Sequence, residues 1–271
     1  AGAVYVFGLT GTTWTQDVYL KASNADVDDL FGTSLAISGD GATLAVGAPG
    51  EASGASGIGG NEADNAAKGA GAVYVFRRGM DWTQDAYVKS TDATAAAEFG
   101  SSVALNKDGS CLAVGAHFES TIAIHSGAGY VFTRGASWMQ RAKVKASTAG
   151  ASDELGASVV LSSDATTLVI GAIGEASKAT GIDGDETDDT AVGAGAVYMF
   201  GWDGDAWTER AYVKASNTDA RDAFGTSLAI DGAALMIVVG AAGEASGGRG
   251  IAANPADNTA FAAGAAYVFQ W

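Results

Sequence analysis

The chain has 271 residues, of which 48% are hydrophobic and only 17% charged, a composition that is too apolar for a disordered protein. Its formal net charge of −16 repels phosphate backbones and therefore disfavours nucleic-acid binding. No apolar run reaches the about 18 residues that a membrane-spanning helix needs, so no membrane insertion is predicted. The chain opens on Ala1 without an initiating Met, so we expect a processed product or a segment of a longer protein.

One segment occurs four times along the chain, with starting points at Phe31, Phe99, Leu155 and Phe224. In each copy a Trp lies seven residues before a Lys, and the Lys lies ten residues before the starting residue of the segment. A Gly lies sixteen residues after that starting residue. Four residues beyond that Gly comes a Glu, and none of these spacings changes between copies. The main length variation follows the Glu, where 25, 13, 25 and 25 residues lead to the end of the next strand. This variable segment is predicted to be a surface loop.

The first copy contains four strand candidates, at residues 33–37, 43–47, 71–76 and 82–89. The second is a continuous apolar run, which is typical of a strand buried on both faces. In the last candidate strand, the residues at even positions from Trp82 to Val88 alternate with those at odd positions, which are polar or aromatic. This alternation predicts an outermost strand with one dry face and one face in contact with water. The segment before each Phe-Gly pair is predicted to be a polar turn, and no long helix is expected.

Four short antiparallel strands per repeat describe the blade of an all-β propeller. The repeat periods of 68, 56 and 69 residues are too long for a leucine-rich or hexapeptide solenoid. The predicted units are approximately 31–98, 99–154, 155–223, and 224–271 completed by 1–30. Three arrangements remain open: the two ends meet and complete a fourth blade with one strand in excess, the chain is cut from a longer array, or the sheets form an open stack.

The motifs Phe31-Gly32, Asp40-Gly41 and Gly47-Ala48-Pro49, followed by Gly-Ala-Val-Tyr-Val-Phe at 71–76, together resemble the FG-GAP repeat. The resemblance covers essentially the whole chain, although Pro occurs in one copy only and Leu155 replaces Phe in another. It implies a propeller like that of the integrin α-subunit head, located outside the cell or at its surface. Propellers of that type are larger closed rings.

Integrin-type repeats often carry a calcium loop of the form Asp-x-Asp-x-Asp-Gly between the first two strands. Calcium takes about six to eight oxygen ligands, so several carboxylates must fall at alternate positions. The corresponding hairpins here offer a single carboxylate each, as in Ser38-Gly-Asp40-Gly. We therefore expect ordinary turns there and do not transfer the calcium sites of the integrins.

The long loop of the third copy is the one candidate metal site, for calcium. Its possible ligands are Asp183, Asp185, Glu186, Asp188 and Asp189. A cation would relieve the mutual repulsion of these carboxylates. The alternative is a solvated acidic loop whose Asp side chains hold local turns. No other cofactor is predicted.

Other recurrent residues favour structural roles. The four Glu residues of the repeat, with their Lys partners, suggest hydrogen bonding between blades, because catalysis rarely needs four identical acids. The Trp residues suggest packing between blades, with a sugar-binding platform as the alternative. Cys111 is predicted to be a buried, inert thiol, and His117 and His125 form no triad or zinc signature.

These observations predict a non-enzymatic extracellular or cell-surface module for adhesion or protein–protein interaction. Its partners would be other proteins or copies of itself, contacted through blade edges and the long acidic loops. One alternative is a structural subunit of a larger extracellular assembly or filament. Another is a ligand-binding or hydrolytic propeller with a site at the central channel.

Overall fold

A computed structural model describes residues 1–251 and 254–270, and every regular element in these ranges is a β-strand. No helix capable of crossing a membrane occurs among the residues described. The strands form five separate antiparallel sheets along the chain. The first sheet contains β1 (Val4–Thr10) and β2 (Thr13–Leu20). The second contains β3 (Ser34–Ile37), β4 (Thr43–Ala48), β5 (Ala72–Arg78) and β6 (Trp82–Val88).

The third sheet contains β7 (Ser102–Leu105), β8 (Cys111–Ala116), β9 (Ala128–Arg134) and β10 (Trp138–Val144). The fourth contains β11 (Leu155–Leu161), β12 (Thr167–Ala172), β13 (Ala196–Trp202) and β14 (Trp207–Val213). The last contains β15 (Phe224–Ile230), β16 (Met236–Ala241) and β17 (Ala265–Gln270). Neighbours in the chain are neighbours in every sheet, as the predicted blade of consecutive antiparallel strands requires.

The sheets pack face to face in chain order, and an apolar cluster fills each of the four contacts between consecutive sheets. The second strand of a middle sheet is apolar on both faces because a sheet lies on either side of it, and all of β4 is buried. Phe31 packs edge-on against Tyr74 at 5.4 Å and against Phe76 at 6.2 Å between ring centroids. Phe99 and Phe224 repeat this arrangement in their own sheets. Each such aromatic pair contributes about 0.5–1.5 kcal/mol beyond its buried area.

Gly47 shows why a Gly recurs in the second strand. A Cβ at this position would lie 2.0 Å from the carbonyl oxygen of Gly100, which belongs to the Phe-Gly turn of the next sheet. Ser34 donates a hydrogen bond to that same oxygen at 2.7 Å. The Gly therefore lets the backbones of adjacent sheets approach each other closely.

The two ends of the chain do not complete one another. β1 and β2 form a sheet of their own, and β17 is the last strand of a three-stranded sheet. This differs from the expectation that residues 1–30 complete the unit 224–271. β1 corresponds in sequence to β5, the third strand of a sheet, and β17 is a third strand as well, so both ends supply the same strand.

The loop after Glu51 returns to the outermost strand of its sheet. Ile58 forms a bridge with Val88, and the backbone N–H of Lys89 donates to the carbonyl oxygen of Gly57 at 2.9 Å. Ile182 and Val213 form the same bridge in the fourth sheet. The predicted alternation of dry and wet faces on the outermost strand is not observed, because Thr83, Gln84 and Asp85 are all exposed whereas Ala86, Tyr87 and Val88 are all buried.

Candidate functional site

The acidic loop of the fourth sheet does not gather its carboxylates around one point. Asp185 and Asp188 each accept hydrogen bonds from the backbone N–H and the hydroxyl of the Thr two residues ahead, Thr187 and Thr190. These hydrogen bonds hold the pKa of both Asp carboxyls below the usual value. Both side chains therefore hold local turns, which is the arrangement typical of a solvated acidic loop.

Two other candidate ligands of that loop bind to different neighbours. Asp183 accepts a hydrogen bond from the backbone N–H of Tyr212 at 3.0 Å, which fastens the loop to β14. Glu186 accepts one from the hydroxyl of Ser147 at 2.6 Å, in the segment that precedes the sheet. Asp189 was the fifth residue of the predicted set. In the described part of the chain, no group of three or more His, Cys, Asp or Glu side chains is arranged to hold a metal ion.

The recurrent Glu and Lys form buried ion pairs inside the sheets. Lys89 lies 2.7 Å from Glu51, and the two side chains are 0% and 1% exposed. Lys214 and Glu175 repeat this pair at 2.6 Å. Desolvation lowers the pKa of Lys89, and the hydrogen bond from Lys89 to Glu51 opposes that effect. In the third sheet, which has the short loop, Lys143 and Lys145 both pair with Glu119.

Each buried Glu also ties neighbouring segments together. Glu51 accepts hydrogen bonds from the side chain of Asn24, in the segment before the sheet, and from the backbone N–H of Ser53, in the long loop. Lys89 donates to the carbonyl oxygen of Ser53 at 2.6 Å. The pair therefore joins the outermost strand to the loop and to the preceding segment, and this geometry is that of a structural element.

The terminal sheets hold only halves of this arrangement. Glu244 is 2% exposed and accepts hydrogen bonds from Asn217 and from the backbone N–H of Ser246. The Lys of this unit would follow a fourth strand, and none of the described ion pairs includes Glu244. In the first sheet, Lys21 donates instead to the carbonyl oxygen of Gly2 at 2.5 Å.

The first sheet exposes a continuous apolar surface, which we call the aromatic face. It comprises Tyr5, Phe7, Leu9, Trp14 and Tyr19, all at least half exposed. Tyr5 and Tyr19 contact each other across the two strands with ring centroids 5.1 Å apart. The residue that corresponds to Tyr5 in the second sheet is Tyr74, which is 0% exposed because the first sheet helps to cover it, whereas Tyr5 is 55% exposed.

The last sheet exposes a surface of aliphatic side chains, which we call the aliphatic face. It comprises Ala229, Val238, Ala266 and Val268. Val268 is 63% exposed, whereas Val75, at the same position in the second sheet, is fully buried against the third sheet. Neither face is evident from the repeat spacings. The signal was present, because the Tyr-Val-Phe strand occurs five times and the other strands four times.

The single cysteine and the two histidines have local surroundings of their own. Burial raises the pKa of the Cys111 thiol to about 12, in line with the inert thiol that was predicted. Burial lowers the pKa of His117, whose ring packs on Phe118 at 4.0 Å between centroids. His125 packs on the other side of Phe118 at 4.7 Å. The three rings form a local stack, and His117 Nε2 lies 3.6 Å from a carboxylate oxygen of Glu98.

Comparison with solved structures finds several that are similar to this chain at low sequence identity. A putative 6-phosphogluconolactonase from Bacteroides uniformis ATCC 8492 is 13% identical, with a TM-score of 0.51 over 88% of this chain and 57% of that one. Kuenenia stuttgartiensis hydrazine synthase (12% identity, TM-score 0.46) and Saccharomyces cerevisiae Sqt1 (9%, 0.44) each match 82% of this chain and 45% of theirs. The chain thus spans less than two thirds of each. At 13% identity the similarity to the first of these structures concerns the fold alone.

A search of curated proteins finds no match. The model of the FG-GAP repeat matches residues 14–76, 82–132, 138–200 and 207–269. These four matches start at the Trp of each copy and end at the Phe of the Tyr-Val-Phe motif or its equivalent. The chain therefore belongs to the FG-GAP repeat family, with its repeats folded as the successive sheets of an all-β, propeller-like structure.

Proposed function

We propose that this protein is a non-enzymatic module for protein–protein interaction, used for adhesion or assembly outside the cell or at its surface. The fold by itself does not imply a function, so the proposal rests on a site. That site is the aromatic face of the first sheet. The extracellular location rests on the resemblance to the integrin head.

The aromatic face has the composition of an interaction surface. Contiguous exposed apolar patches on soluble proteins mark interaction sites, and Tyr, Trp and Phe are enriched where proteins bind one another. In the middle sheets, the same positions contact the preceding sheet of the chain. The shape of the aromatic face therefore fits a β-sheet of the same kind, and the aliphatic face of a second copy is such a sheet.

The test is self-association of the purified chain, measured by light scattering over a range of protein concentrations. We expect the mean mass to increase with concentration. Tyr5→Ser combined with Phe7→Ser should weaken association at least tenfold, because it removes two rings of the aromatic face. Met80→Ser is the matched control, since Met80 is exposed in a hairpin of the second sheet, outside both faces. A chain that stays monomeric at high concentration, or Ser variants that associate like the control, would contradict the proposal.

A further inference from the structure

The first two contacts between sheets share a polar cluster at the outermost strand. At the first, Asp17 accepts a hydrogen bond from Trp82 Nε1 at 3.2 Å and pairs with Arg78, also at 3.2 Å. The second contact repeats this cluster with Asp85, Trp138 and Arg134. In both, the Asp belongs to the earlier sheet, while the Trp and the Arg face each other across the outer hairpin of the later sheet.

At the third contact between sheets, two of the three residues of this Asp, Trp and Arg cluster are different. Arg141 stands where the Asp is expected, and Trp202 stands where the Arg is expected, opposite Trp207. The guanidinium group of Arg141 lies over the ring of Trp202, 5.4 Å from its centroid. Arg has no hydrogen-bond acceptor, so the indole N–H of Trp207 cannot make the bond that Trp82 and Trp138 make.

A cleft of about 440 Å³ lies at this third contact, between the third and fourth sheets. Its size is that of a pocket for a small ligand. The residues that line it include Arg141, Trp202, Trp207, Asn106, Asp108 and Asp164. Trp207 is half-buried, as Trp82 is at the first contact, whereas Trp138 at the second contact is 4% exposed. The cleft therefore presents part of an indole ring to a ligand.

The cleft is lined by charged side chains of both signs. Hydrogen bonds from neighbouring hydroxyl groups, led by Ser110 and Ser162, hold the pKa of Asp108 and Asp164 below the usual value, so both are ionised at neutral pH. Arg134 is already engaged by Asp85, which leaves Arg141 as the cation facing the cleft. A simple anion would meet the two carboxylates, and a simple cation would meet Arg141.

We propose that this cleft binds a neutral pyranose sugar, with a C–H face of the ring on the indole of Trp207. A sugar hydroxyl both donates and accepts hydrogen bonds, so one ring satisfies Arg141 and the carboxylates of Asp108 and Asp164 together. The apolar face of the ring matches the exposed indole, as aromatic side chains with a polar edge permit. The net charge of −16 disfavours an acidic sugar relative to a neutral one.

The experiment is a titration of the purified chain with the methyl glycosides of glucose, galactose, mannose and N-acetylglucosamine, and with galacturonic acid, followed by calorimetry and ligand-observed NMR. We expect saturable binding of at least one neutral glycoside. Trp207→Ala and Arg141→Ala should each weaken it at least tenfold. Trp82→Ala is the matched control, because it changes the corresponding Trp at the first contact.

Arg141→Asp gives a second, independent readout. It restores the acceptor that the first two contacts have, so it should abolish sugar binding without lowering the melting temperature. Arg141 is exposed, and its variants are therefore expected to fold. The proposal is overturned if none of the neutral glycosides binds, if galacturonic acid alone binds, or if the Trp207 and Arg141 variants bind like the control. These results are independent of self-association, which depends on the two end faces.

Discussion

The ion pair between Lys89 and Glu51 has no access to water, and such pairs are costly to break from one side. Desolvation of two charges offsets most of their attraction, so an intact pair adds little to stability. A lone charge left in the same place is different, because nothing then compensates for its burial. The hydrogen bonds from Asn24 and Ser53 to Glu51 would not replace a cation. The geometry of this buried pair is therefore that of a structural element and not of a reaction site.

Lys89→Met should lower the free energy of unfolding by about 3–5 kcal/mol, the cost of leaving one partner of a buried pair uncompensated. Urea unfolding measures the change. Lys68→Met, at an exposed position, is the control and should change stability by less than about 0.5 kcal/mol. The double variant Lys89→Met/Glu51→Gln should be more stable than the sum of the single losses implies. Equal effects at Lys89 and Lys68 would argue against a structural role for the pair.

The strand that begins at Thr43 is the element on which adjacent sheets depend most closely. It is buried along its whole length and pairs with a strand on each side. Its Gly47 touches the Phe-Gly turn of the next sheet through backbone atoms, which cannot rotate away. In the first three units this Gly is therefore a packing requirement between sheets, whereas Gly240 in the last unit lies closest to Ser227 of its own sheet.

Gly47→Ala should destabilise the protein by about 3 kcal/mol, because overpacking a tight contact forces the backbone to shift. Gly8→Ala is the matched control, since no atom lies within 4 Å of a Cβ built there. In a strand interior, replacement of Gly by Ala is neutral or slightly stabilising. Thermal unfolding of both variants measures the difference, and a Gly47 variant as stable as the Gly8 variant would contradict the close approach.

The series of sheets has a direction, because the aromatic face lies on the first described sheet and the aliphatic face on the last. The contacts inside the chain always join an aliphatic face to the aromatic side of the next sheet. A contact between copies that follows the same rule is head-to-tail. Head-to-tail contacts are not self-complementary, and when the rotation between copies does not close they give open filaments.

Mixing experiments distinguish this head-to-tail mode from a symmetric dimer. The Tyr5→Ser/Phe7→Ser variant keeps only the aliphatic face, and Val268→Asp keeps only the aromatic face. We expect each variant to be monomeric alone and the mixture to form a one-to-one dimer, measured by sedimentation velocity. Met80→Ser mixed with either variant serves as the control for normal association. A symmetric contact would instead let one of the single variants dimerise with itself.

Much of the fold follows from the sequence, because its information is local to one repeat. The constant spacings predict where strands begin and end, and the structure has β3, β4, β5 and β6 within about two residues of the predicted ranges. The Phe-Gly and Gly-Ala pairs identify the FG-GAP repeat, which the family match confirms. Strand periodicity and turn residues carry this information, since both depend on neighbours along the chain.

Contacts between repeats were decided only by the tertiary structure. The sequence does not show that the first two strands stay apart from the last sheet, or that Ile58 returns to Val88, at the buried end of the outermost strand. It also does not show that Arg141 faces Trp202, because these residues belong to different repeats. Spacing within a repeat specifies which strands pair, whereas the face that each sheet presents to the next depends on its neighbour in space. For this reason the sequence alone determined the sheets and the family, and the tertiary structure decided the two end faces and the cleft.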